Sequence, residues 1–227
     1  MAKQIVAMGG GGFMMEPENP RLDDYILSLA RGRESRVCYV PTATGDNPHL
    51  IANFYRLLGH RCRATHLSSF MTDVVPAVER LDVDIIYVSG GNTANMLAIW
   101  RLHGIDQLMR AAYDRGVILC GLSAGALCWF GQGVTDSFGP PRGMECLGFI
   151  PDSFCPHYVN DATRRPSYHR FMREGMPAGY AATDSAAIHF VDGKPLRAVA
   201  SHADGRAFFV QQVGDDIEEK PIPIDLL

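Results

Sequence analysis

The run Gly121-Leu122-Ser123-Ala124-Gly125-Ala126 sets one hydroxyl among residues with almost no side chain. It follows the apolar stretch VILC (117–120) and leads into the apolar stretch ALCWF (126–130). This is the G-x-S-x-G pattern in its strand-turn-helix context, where small neighbours let backbones pass closely around a strained serine. The chemistry such a turn offers is nucleophilic attack on a carbonyl. The hydroxyl projects from the carboxyl end of the sheet, and N–H groups of the next turn face a developing oxyanion. The plainer reading is a tight connection whose serine caps a helix.

A second loop, Ser89-Gly90-Gly91-Asn92-Thr93, ends the apolar run DIIYV (84–88). Carboxyl ends of neighbouring parallel strands share one crevice, so this loop should face the same site as Ser123. Gly91 N–H and Ala124 N–H are the expected oxyanion donors. Asn92 and Thr93 are expected to start the next helix and to line the substrate site. Ser123 needs a base, and His157, in Phe154-Cys155-Pro156-His157-Tyr158, is the best placed of the eight histidines. An acid must fix the base's tautomer. Two candidates stand open: Asp184 in Ala182-Thr183-Asp184-Ser185, and Asp136 in Val134-Thr135-Asp136-Ser137.

Short apolar runs alternate with amphipathic stretches over the first half of the chain. Strands are expected at QIVAM (4–8), RVCYV (36–40), RATHL (63–67), 84–91 and 116–121. Helices are expected after Pro20, after Asn47-Pro48, over 76–81, 93–102, 105–115 and 163–174. That alternation reads as βαβ units around a parallel sheet covered on both faces. Residues 131–156 read as a glycine- and proline-rich loop. Hairpin turns are expected at Asp192-Gly193 and Asp204-Gly205, with a surface tail from about 214 to 227. The 227 residues are expected to form a single domain.

The net charge of −4 carries no basic footprint for nucleic acid, and no apolar run is long enough to span a membrane. The six cysteines form no C-x-x-C pair and are expected as buried free thiols, as in a reducing cytoplasm. Starting G-x-G-x-x-G at Gly9 or Gly10 fails at Met14 or Met15, and no G-K-[ST] or H-E-x-x-H occurs. No cofactor and no metal are therefore expected. Cys120 precedes the elbow, at the strand end where it should be buried.

The glycine run 9–12, the Gly-Gly-Asn-Thr loop (90–93), the Gly-Leu-Ser-Ala-Gly-Ala elbow (121–126) and Pro156-His157 together resemble the peptidase E family, which includes cyanophycinase. The resemblance runs in order from about residue 4 to residue 200. It implies a three-layer α/β sandwich with a mainly parallel central sheet, related to class I glutamine amidotransferases, with serine for their cysteine. It also implies hydrolysis of short peptides through an acyl-enzyme, often with an acidic residue in the recognised position. The family's late acidic triad member maps onto Asp184, with Asp for the more usual Glu. Asp136 falls near a residue also assigned that role. Arg164 or Arg165 could hold a substrate carboxylate by bidentate hydrogen bonds. The continuation into LCWF and VTDSFG marks a branch apart from typical aspartyl dipeptidases. Carboxypeptidase or broader dipeptidase activity therefore stays open, as does a binding module without catalysis. A homodimer is compatible with this reading.

Overall fold

A computed structural model describes residues 2–30, 34–70 and 82–227, so the short helix expected over 76–81 lies outside the described residues. The first half builds strands β1 (Gln4–Met8), β2 (Arg36–Val40), β3 (Arg63–His66), β4 (Ile85–Val88) and β5 (Ile118–Leu122). Helices α1 (Gly12–Met15), α2 (Arg21–Ser28), α3 (Pro48–Leu58), α4 (Thr93–His103) and α5 (Ile105–Asp114) connect them. The start signals act as expected. Asn47 accepts from His49 N at 2.9 Å ahead of Pro48, and Asn92 accepts from Asn95 N at 2.8 Å at the head of α4.

With β10 (Ala186–Val191), β11 (Lys194–Ala200) and β14 (Ile224–Leu226), these strands form one eight-stranded sheet of order β14-β11-β10-β1-β5-β4-β2-β3, in which β1, β5, β4, β2 and β3 run parallel. Its strands are apolar on both faces because both are covered. Val6, Met8, Tyr39, Tyr87 and Cys120 pack toward α1–α3. Ile5, Ala7, Val40, Val88 and Leu119 pack toward α4, α5 and a second sheet, in a core that includes Trp100 and Trp129. The chain is thus α/β, with helices, the mainly parallel sheet and a further layer stacked on it.

That further layer departs from the expected loop. Residues 131–156 contain most of β6 (Phe130–Thr135), then β7 (Arg142–Glu145) and β8 (Ile150–Cys155). These join β9 (Gly179–Ala182), β12 (Ala207–Val213) and β13 (Asp216–Ile222) in a six-stranded sheet of order β13-β12-β9-β8-β6-β7. Helix α7 (Arg164–Arg173) packs on it through Tyr168 and Met172. Asp192-Gly193 does join β10 (Ala186–Val191) to β11 (Lys194–Ala200) as a tight turn, with φ of 50° and 77°. Asp204-Gly205 does not make a hairpin, because β11 and β12 belong to different sheets. The tail from 214 is mostly exposed but ordered, as β13 on one sheet and β14 (Ile224–Leu226) on the other.

Candidate active site

Ser123 stands between β5 and a short helix, α6 (Ala124–Leu127), with φ of 52° and ψ of −112°. A serine there is strained, at a cost of order 1–3 kcal/mol, so the surrounding packing must impose it. Gly125 permits that packing: a Cβ there would sit 2.3 Å from the Val88 carbonyl oxygen. The serine hydroxyl is half-buried and does not cap α6. The capping role is thereby removed, and Oγ makes no hydrogen bond among the described residues. Among the described residues Ala124 N–H and Gly91 N–H donate to no acceptor either, whereas Asn92 N–H reaches Ala43 O at 2.8 Å.

Three strands bring the other groups to this edge. Ser123 N donates to Met8 O at 3.1 Å across β5 and β1. On the far side of β1, Ser185 N donates to Gly10 O at 3.2 Å and Gly9 N to Ala186 O at 3.0 Å. The elbow and the 184–185 turn therefore flank the end of β1, about two strand spacings, ~10 Å, apart at the backbone. Gly10 makes room for the acid: a Cβ there would lie 2.2 Å from Asp184 Oδ1.

Asp184 Oδ1 lies 2.5 Å from His157 Nδ1, with the two side chains 27% and 20% exposed. His157 sits at φ of 54° in the turn after β8. Tyr158 N donates to Ala182 O at 3.1 Å, and Asp184 N donates to Asn160 Oδ1 at 2.8 Å. Behind the acid, Glu16 accepts hydrogen bonds from Ser185 Oγ and from Ser201 Oγ, the latter at 2.7 Å. Glu16, Asn160, Ser185 and Ser201 carry no signal in the sequence that would have singled them out. They are polar residues at ordinary turn positions, joined only by the fold.

Other candidates are engaged elsewhere. Asp136 pairs with Arg164, Oδ2 to Nη2 at 2.8 Å, and not with His157. Arg164 is buried, its side chain 4% exposed, and is further held by Asp161 at 3.3 Å and Val134 O at 2.9 Å. Arg165 meets Glu219 in a fork, both contacts at 2.7 Å. Both guanidiniums face carboxylates of the protein itself, Arg164 buried and Arg165 half-exposed. Asn92 uses its oxygen as the α4 cap and its Nδ2 on Ser137 O at 3.0 Å, and Thr93 is buried. Their side chains build the loop.

Two buried groups set the electrostatics beneath the edge. Burial pushes the Cys120 thiol well above its ordinary range, so that sulfur stays protonated and offers no thiolate beside the elbow. Burial also pushes the Asp23 carboxyl up to about 7, despite a hydrogen bond from Tyr87 Oη at 3.1 Å. All six cysteines are free, and all but Cys146 are buried. Among the described residues no cluster of three or more His, Cys, Asp or Glu could hold a metal, and no helix is long and apolar enough to cross a membrane.

Comparison with known proteins shows the family. An uncharacterized peptidase, YgaJ, of Bacillus subtilis (strain 168) is 44% identical over 230 residues, covering 99% of each chain. Peptidase E of Citrobacter koseri is 33% identical over 88 residues, 37% of this chain and 38% of that protein. The crystal structure of a peptidase from an acI-B1 Actinobacterium shares the fold with a TM-score of 0.68 at 15% identity, covering 97% of this chain and 95% of that one. The model of Peptidase family S51 matches residues 5–197, and the chain belongs to that family, as a serine peptidase.

Proposed function

We propose that the protein hydrolyses short peptides through an acyl-enzyme, with Ser123 as nucleophile, His157 as general base and Asp184 as the residue that orients it. The observation that carries this reading is the 2.5 Å contact between His157 Nδ1 and Asp184 Oδ1 at the same sheet edge as the strained Ser123 elbow. With Nδ1–H donated to the carboxylate, Nε2 keeps its lone pair for the serine proton. Ser123 Oγ attacks the peptide carbonyl as His157 takes its proton. The oxyanion that forms accepts from Gly91 N–H and Ala124 N–H, which have no other acceptor among the described residues. The imidazolium then protonates the leaving amine, and water activated by the same imidazole releases the acyl group. Nucleophile–base hydrogen bonds of this kind often close only around substrate.

The pairing of Arg164 and Arg165 with internal carboxylates withdraws the feature that would have favoured an acidic side chain. Short-peptide hydrolysis is proposed without that preference. Labelling with a fluorophosphonate, together with a panel of free dipeptides and end-blocked peptides, tests the reading. Modification at Ser123 and turnover of unblocked peptides are expected, both abolished by Ser123→Ala. A folded protein that neither labels nor turns over any member would be a binding module.

A further inference from the structure

We infer that Asn160 is a positioning residue for the His157–Asp184 pair, a role that rests on the catalytic reading above. Histidine at φ of 54° and serine at φ of 62° in position 185 mark two turns held in conformations that L-residues disfavour. Such turns persist only where outside contacts over-determine them. The 184–185 turn is held from one side by Gly10 O, which accepts from Ser185 N at 3.2 Å, and by Glu16 on the Ser185 hydroxyl. The 201–206 segment adds Ser201 N to Ser185 O at 2.9 Å and Thr183 N to Arg206 O at 3.0 Å, and the histidine turn supplies the contacts to Asp184 itself.

Three bonds cross between the two turns: His157 Nδ1 with Asp184 Oδ1, Tyr158 N to Ala182 O, and Asp184 N to Asn160 Oδ1 at 2.8 Å. Only the Asn160 bond fixes the main chain of the acid from the turn that carries the base. The turn is itself closed by Asp161 N donating to His157 O at 3.0 Å, so Asn160 and His157 move as one unit. Removing the amide oxygen leaves Asp184 N–H without its partner and frees the carboxylate to rotate off Nδ1. Displacements near 1 Å at a catalytic group cost up to ~100-fold in rate. Asn160 is exposed and buries no apolar surface, so its loss should act on the pair and not on the fold.

The test compares Asn160→Ala and Asn160→Asp with wild type. In Asn160→Ala, kcat is expected to fall about 10- to 100-fold with KM little changed. The proton NMR resonance of His157 Nδ1–H, assigned by its absence in His157→Ala, is expected to move upfield, with an unchanged melting temperature. Asn160→Asp keeps a side-chain oxygen as acceptor and should recover most of the rate and the resonance position. An Asn160→Ala protein with wild-type kcat and an unmoved resonance overturns the inference. So does an Asn160→Asp protein as impaired as the alanine variant. Failure of the catalytic reading looks different: wild type would not label at Ser123, while the resonance would still report whether Asn160 holds the pair.

Discussion

Two of the imidazole–carboxylate pairs among the described residues, in neighbouring parts of the molecule, are engaged in different ways. His157 offers Nδ1 to Asp184, and its Nε2 makes no hydrogen bond among the described residues. His169, on α7, offers Nε2 to Glu219 Oε1 at 2.7 Å and meets Tyr158 Oη with the same nitrogen at 2.9 Å. Glu219 is also forked by Arg165 and accepts from Tyr158, so its charge is balanced within the cluster. The residue types are nearly the same. What differs is which ring nitrogen is free and whether the carboxylate has a cation of its own. The first pair is the one the proposed mechanism uses; the second ties β13 to α7.

Breaking the first pair should cost activity, and the largest effects lie there. Ser123→Ala and His157→Ala are each expected to lower kcat by at least ~10³-fold with the melting temperature nearly unchanged, read by steady-state turnover of a cleaved dipeptide. Asp184→Asn should lower kcat by up to ~10⁴-fold, since the amide can hold the wrong tautomer. Wild-type turnover in Asp184→Asn would instead make the two pairs equivalent.

Breaking the second pair should cost stability and spare catalysis. Glu219→Gln removes the charge that Arg165, Tyr158 and His169 share, and should lower stability by about 1–3 kcal/mol in urea unfolding with turnover near wild type. Burial alone would push the Glu219 carboxyl up, but hydrogen bonds from Arg165, Tyr158 and His169 outweigh it and hold it below its ordinary value of 4.5. With the folded value depressed, this contribution is complete above about pH 4.5 and is lost as pH falls through the lower, folded value. The gap in unfolding midpoint between wild type and Glu219→Gln should therefore close as pH falls below 4.5. The smallest effect is expected from Asp136→Asn, about 1 kcal/mol through its half-exposed pairing with Arg164, with turnover retained. A large loss of kcat there would return Asp136 to the catalytic group.

Much of the site was legible because it depends on local backbone demands. The elbow needs small residues around a serine after a buried strand, and residues 116–126 state that in order. The Gly-Gly-Asn-Thr loop announces its helix cap in the same way. The second sheet was not legible, because β6 carries Gly131 and Gly133, where side chains would normally report a strand's two faces. A Cβ at Gly133 would lie 2.3 Å from Phe154 O, so those glycines serve the approach of β8 and not a loop.

By itself, the order of residues determined a parallel α/β sheet with a serine on a strained turn, since periodicity and small-residue spacing act over a few positions. It set Asp184 above Asp136 through the family resemblance alone, because the two sit in the same tripeptide, Thr-Asp-Ser. Only the tertiary structure gave them different neighbours, Arg164 against one and His157 against the other. A carboxylate's role follows from the charge it faces, and that neighbour arrives from a distant part of the chain.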